Sequence, residues 1–185
     1  MNTQLKPLSF NEASEETQNI FTAIKEKVGK LPNLYAAMGV SSKLLSGYLN
    51  FTETLKSGEF SDKEYEAIAL VTSQVNDCEY CISAHTTLAK MQGFDESEII
   101  QLRQNSITDT KLNALVSLTN EIVRNNGCGS NITTENFLNH GYNKAAFAEL
   151  IAIVAMITIT NNIYHNGGFE IDFPIAPQLN NKQVA

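Results

Sequence analysis

The stretch "FSDKEYEAIALVTSQV", residues 60–75, constrains the fold more than any other part of the chain. Ser61 and Glu64 stand at the spacing of a capping box, in which each side chain satisfies a free backbone N–H at the other end of a helix's first turn. The residues that follow are apolar at helical spacing as far as Val75, and Asn76 and Asp77 then break the pattern. This predicts a helix over 62–75. Asp77 is placed to cap a second helix over 78–91, which Gly93 ends.

Most of the chain reads the same way. Ile20, Phe21, Ile24 and Val28 make one face of a helix over 14–28, stopped by Gly29, and Pro32 keeps the chain from resuming at once. Ser41 or Ser42 caps a helix through Leu45, Tyr48, Leu49 and Thr52 to Leu55, which stops at Gly58. Helices are also expected over 95–104, over 109–124, from Thr133 to Asn139, and in a long apolar run capped by Asn143. The tail from Phe169 carries Pro174 and Pro177 and reads as extended. No period-two pattern of a strand emerges, so the expected class is all-α, one domain over 1–185 with extended arms at 1–12 and 170–185. A weak internal similarity pairs "EAIALV" at Glu66 with "ELIAIV" at Glu149 and sets Cys78 opposite Asn161. It reads either as a duplicated helical hairpin or as two buried helices of similar composition.

A net charge of −7 and the absence of any basic run argue against a nucleic-acid surface, which needs clustered Lys and Arg. The N-terminal segment lacks the basic start and apolar core of a signal peptide. The apolar stretch 145–159 is interrupted by Glu149 and Thr158 and is too short to span a bilayer. A cytoplasmic protein with no membrane association is therefore expected. Segments 62–75 and 144–160 are apolar over most of their circumference, more than one chain of this length readily covers, which predicts a homo-oligomer.

The chemistry concentrates in "NDCEYCISAH", residues 76–85, which holds two of the chain's three cysteines and one of its three histidines. On a helix Cys78, Cys81 and His85 share one face, so the sulfurs can meet and the imidazole can reach the second of them. A redox couple, a structural zinc site and a static disulfide all use such a cluster. Zinc asks for a fourth ligand, and His140 and His165 sit in no recognisable zinc spacing. A static disulfide leaves the histidine idle, and a close cysteine pair in a reducing compartment is more often catalytic or metal-binding. Free N–H groups at a helix start favour a thiolate, which on position alone points to Cys78. Glu66 precedes Cys78 by twelve residues, and its face continues as Ala69, Leu70 and Ser73. A carboxylate entering an apolar region needs a partner; the alternative is an exposed glutamate complementing the helix dipole. Cys128, in "NNGCGSN", reads as a free thiol.

Glu66, then "CEYC" twelve residues on, then His85 four after the second cysteine, resembles the signature of the AhpD-like alkylhydroperoxidases of the carboxymuconolactone decarboxylase superfamily. "QVNDCEYCISAH" and "NNIYHNGGFEIDFP" are similar to its peroxidase-related branch, and the likeness covers roughly residues 30–175. The resemblance implies an all-helical homo-oligomer that reduces hydroperoxides without a cofactor or metal. It implies that Cys81 attacks the peroxide, that Cys78 resolves the sulfenic acid, and that His85 and Glu66 relay protons. It also implies a thiol or dithiol reductant as partner, such as a lipoyl protein or a peroxiredoxin. One departure stands out: Tyr80 occupies the position where the best-known AhpD proteins carry a histidine. The other functions open to such a chain are a carboxymuconolactone-decarboxylase-like reaction, which the resemblance implies needs no cysteine pair, and non-enzymatic redox sensing or disulfide exchange.

Overall fold

Side-chain caps set most of the helix starts. In the computed structural model, which describes residues 4–179, Ser14 accepts from Thr17 N–H and opens α1 (Glu15–Val28), which Gly29 closes in the left-handed region. The short α2 (Asn33–Met38) follows Pro32, and Ser41 opens α3 (Ser42–Lys56) by accepting from Leu44 N–H. The Ser61–Glu64 capping box is complete and starts α4 (Asp62–Val75). Cys78 is itself the N-cap of α5 (Glu79–Met91). A second box, Asp95 with Glu98, starts α6 (Glu96–Arg103). Asp109 caps α7 (Thr110–Arg124), Ser130 caps α8 (Asn131–Asn139) and Asn143 caps α9 (Lys144–Gly167). Each such cap contributes about 1 kcal/mol. Among the described residues there is no strand, so the fold is all-α.

The centre of the molecule is α4. Every residue from Tyr65 to Ser73 is buried, and the helix separates two apolar clusters. Tyr65, Ile68 and Ala69 join the larger one, with Phe21, Met38, Leu45, Leu115, Phe137 and both site cysteines. Ala67, Leu70 and Val71 join the smaller one, with Phe94, Ile99, Leu102 and Val116. α5, α6, α7 and α9 all pack on it. That is why its sequence is apolar all round.

This placement narrows one expectation. The apolar circumference of α4 is covered within one chain, so it offers no surplus surface to a second copy. α9, by contrast, leaves an apolar strip exposed, with Ala148, Ile151, Ala155 and Ile159 at helical spacing.

Several local expectations are corrected. α2 was not anticipated, because the fixed φ of Pro32 suits a helix start as well as a stop. α8 begins at Asn131 rather than Thr133, since Ser130 supplies the cap. Asp77 does not cap α5. It takes φ 53°, and its N–H reaches Gln74 O at 3.2 Å while Cys78 N–H reaches Ser73 O at 3.0 Å. This paired closure ends α4 and delivers Cys78 directly to the next helix. α9 runs without interruption through 159–161, the counterpart of the α4–α5 break, so no second hairpin forms. Its 24 residues are long and apolar enough to cross a bilayer by length and composition alone, and the length argument drawn from residues 145–159 does not hold. In the fold α9 packs against α2, α3, α4, α5 and α7, burying Leu150, Ile153, Val154, Met156 and Ile157.

A 3-10 turn, Phe10–Glu12, interrupts the arm expected over 1–12, and residues 1–3 and 180–185 lie outside the described set. The tail over residues 169–179 is extended and lies along α5. Ala176 N–H donates to Ser83 Oγ at 3.1 Å, and the Arg103 guanidinium donates to Pro177 O at 2.7 Å.

Candidate active site

The two sulfurs meet at the first turn of α5. Cys78 Sγ accepts from Cys81 N–H at 3.3 Å, the bond of an N-cap, and its thiol donates to Cys81 Sγ at 2.6 Å. The roles that follow are unequal. Donation to Cys81, with burial, pushes the Cys78 thiol far up. The same donation is the largest influence lowering Cys81. It outweighs burial, and the positive charge of His85 and hydrogen bonding with Asn161 and Thr160 act in the same direction. Both thiols are free and buried. Helix position alone had favoured Cys78 as the thiolate; the S–H donation from Cys78 reverses that order.

His85 lies one turn beyond Cys81 on α5. Its Nδ1 is 2.7 Å from Glu66 Oε2, across the α4–α5 interface. Burial alone would lower the imidazole's proton affinity, but the charge and hydrogen bond of Glu66, aided by Cys81, raise it overall. Glu66 is 2% exposed, so it is the partnered carboxylate and not a solvated helix-start residue. Its other oxygen, Oε1, is 3.8 Å from Lys56 Nζ at the end of α3.

These groups face a cleft of about 720 Å³. Cys81, His85 and Lys56 line it together with Leu34, Tyr35, Tyr48, Thr160 and Phe173. Cys78, with no exposed surface, lies behind Cys81. A polar seam on α9 supports the sulfurs: Asn161 is fully buried, accepts from Asn76 Nδ2 at 2.8 Å and offers its amide to both thiols.

Tyr80 has a different task. Its hydroxyl accepts from Leu34 N–H at 3.2 Å and donates to Asp172 Oδ1 at 2.6 Å. Its ring packs against Tyr164, Phe169 and Phe173. Lys30 adds an ion pair to Asp172 at 3.3 Å and stacks over Phe173. Tyr80 thus ties the C-terminal arm to the site and sets Phe173 into the cleft wall. Tyr80→Phe leaves the buried Leu34 N–H without its acceptor, a loss of about 1–3 kcal/mol. For a chain of this length we expect the thermal midpoint to fall by roughly 2–4 °C per kcal/mol, measured by calorimetry.

The structure brings together all four residues singled out from the sequence, Glu66, Cys78, Cys81 and His85. Sequence reasoning missed Lys56, Thr160, Asn161 and the arm residues Asp172 and Phe173. His165 donates Nε2–H to Asn76 O at 2.9 Å, which pins the end of α9 to the α4–α5 break. His140 Nδ1 bonds its own helix at Asn136 O, and Cys128 is exposed in the α7–α8 loop. Among the described residues no group of three or more His, Cys, Asp or Glu side chains is arranged to hold a metal ion.

Residues 43–121 match the model of the carboxymuconolactone decarboxylase family. Over 90 residues the chain is 26% identical to the alkyl hydroperoxide reductase Rv2159c of Mycobacterium tuberculosis, covering 48% of this chain and 26% of that protein. Among solved structures, an AhpD-core peroxidase-related protein from Ralstonia eutropha JMP134 superposes with a TM-score of 0.80 at 16% identity, covering 91% of this chain and 93% of that one. The family match takes in 79 of the 185 residues, the chain spans about a quarter of the curated relative's length, and the structural likeness shows an AhpD-like fold. Other solved structures share the AhpD-like fold. A peroxidase-related protein from Silicibacter sp. TM1040 has a TM-score of 0.76 at 21% identity, covering 92% of each chain. The debrominase Bmp8 has a TM-score of 0.77 at 19% identity, covering 93% of this chain and 94% of that one. The matched segment of the chain holds Lys56, Glu66, Cys78, Cys81 and His85, whereas Thr160, Asn161 and the arm lie beyond it.

Proposed function

We propose that this AhpD-like protein is a thiol-dependent hydroperoxidase working through the Cys78–Cys81 couple. The observation that carries the reading is the asymmetry of the two sulfurs: Cys81 lines the cleft and is held toward thiolate, while Cys78 stands behind it as a protonated donor. The Cys81 thiolate attacks the terminal oxygen of a hydroperoxide, the O–O bond breaks, and the leaving alkoxide takes up a proton. The products are an alcohol and Cys81 sulfenic acid. Cys78 then attacks that sulfur, water leaves, and a Cys78–Cys81 disulfide forms. A dithiol from outside returns both sulfurs to the reduced state and carries away the two electrons' worth of oxidation. His85, backed by Glu66, takes the Cys81 proton and returns it to the leaving oxygen.

Supplying dithiothreitol or dihydrolipoamide and following cumene hydroperoxide tests the reading. Consumption well above the rate of the dithiol alone is expected, with turnover beyond one peroxide per chain. Stoichiometric oxidation without turnover would instead describe a disulfide-exchange or sensing protein, and no oxidation at all would sink the couple.

The same reading includes self-association through the exposed apolar strip of α9. Light scattering at micromolar concentration should report more than one chain per particle, and a monomer would refute it.

A further inference from the structure

Glu66 is nearly sealed from water, and an ionised carboxylate in that position needs compensating charge close by. Its oxygens are divided between two partners from different helices. Oε2 lies 2.7 Å from His85 Nδ1 on α5, and Oε1 lies 3.8 Å from Lys56 Nζ on α3. The Lys56 side chain is 41% exposed, so its ammonium keeps water on one side and the carboxylate on the other. It also sits 4.9 Å from the centre of the Tyr65 ring, a second contact that holds it at the rim of the cleft.

We propose that Lys56 is a positioning residue: by taking Glu66 Oε1 it supplies charge that the buried carboxylate would otherwise draw from His85, and so leaves the imidazole able to release a proton as well as hold one. The proposed function gives that proton its use; the charge arrangement itself is read without any peroxide.

The other titratable groups around the cleft do not compete for this role. On α3, Glu53 is held by Lys27 of α1 at 2.7 Å. Tyr35 of α2 is pushed up to about 12 by burial, with the charges of Glu66 and Cys81 adding to it. Burial likewise raises Tyr48 of α3, Tyr65 of α4 and Tyr164 of α9. These phenols stay neutral where His85 titrates, which leaves Glu66, Cys81 and Lys56 to decide its charge. Glu66 and the Cys81 thiolate hold the proton on the ring, and Lys56 opposes them. With the lysine present, two negative and two positive charges balance when Cys81 and His85 form an ion pair. Without it the site carries a surplus negative charge, which favours imidazolium to higher pH.

The test is an NMR titration of the histidine ring signals in wild type, K56M, K56Q and K56R. The chain has three histidines, and His140 and His165 serve as internal controls of the fold. In K56M and K56Q the His85 midpoint should move to higher pH by more than the reproducibility of the titration, while the two controls stay in place. K56R, which keeps the charge, should restore the wild-type midpoint. A His85 midpoint unchanged in both neutral variants would overturn the proposal, and so would a shift in K56R as large as in K56M. Hydroperoxide consumption measured against pH should move in the same direction. If wild type consumes no hydroperoxide, the proposed function fails while the titration still decides the role of Lys56.

Discussion

Replacing Cys81 with serine is expected to bring hydroperoxide consumption down to the rate of the dithiol alone. Cys81 is the sulfur at the cleft, and the nearby groups act on its charged form: the Cys78 thiol first, then the His85 charge, Asn161 and Thr160. A serine hydroxyl at the same place keeps the volume nearly unchanged but stays protonated at neutral pH, so the same groups have no anion to stabilise. The loss should come with little change in stability, since the site can hydrogen-bond a hydroxyl. The wild-type pH dependence follows in sign. Because the Cys81 pKa is lowered, more of the reactive thiolate is present at a given pH than for an ordinary thiol, and the rate should fall as pH drops through that lowered value. Activity retained in Cys81→Ser, measured by peroxide consumption across pH, would exclude Cys81 as the nucleophile. Cys128→Ser, in an exposed loop, should behave as wild type in the same assay.

The parts of the site legible in the sequence are those set by local spacing. One helix turn separates Cys78, Cys81 and His85, and a capping box fixes where α4 begins. Once α4 and α5 pack side by side, Glu66 meets His85 without further instruction. Glu66 also announced itself by entering an apolar face, where a carboxylate must find a partner. Lys56 gave no such signal, because its contact with Glu66 depends on where the end of α3 falls against α4. Asn161 left a trace that could have been followed. It and Thr160 are polar positions following a long apolar run in α9, and buried polar side chains are there to hydrogen-bond. The same local logic explains the errors. An all-round apolar α4 looked like an interface because a sequence does not distinguish burial by the same chain from burial by another. Asp77 looked like a cap because aspartate serves both as N-cap and as a tolerated left-handed residue, and only the backbone at Cys78 decides between them.

Cys78→Ser separates the two thiol roles most sharply. Serine is among the best N-cap residues, so it can accept from Cys81 N–H as Cys78 does, and α5 should start where it does now. Its hydroxyl can also donate toward Cys81, which preserves part of the influence that lowers the Cys81 thiol. The first step, attack on the peroxide, should therefore survive. The second cannot, because no sulfur stands behind Cys81 to expel water from the sulfenic acid. After a peroxide pulse without reductant, wild type should lose about 2 Da as the disulfide forms. Cys78→Ser should instead gain about 32 or 48 Da, the masses of sulfinic and sulfonic acid at Cys81. Cys78→Ala is the informative companion. It removes both the cap and the S–H donor, so Cys81 should revert toward an ordinary buried thiol and react more slowly even in the first step. If Cys78→Ser formed no oxygen adducts and Cys81→Ser accumulated them at Cys78, the order of attack would be the reverse of the one proposed. Intact-protein and peptide mass spectrometry of the three variants reads all of these outcomes.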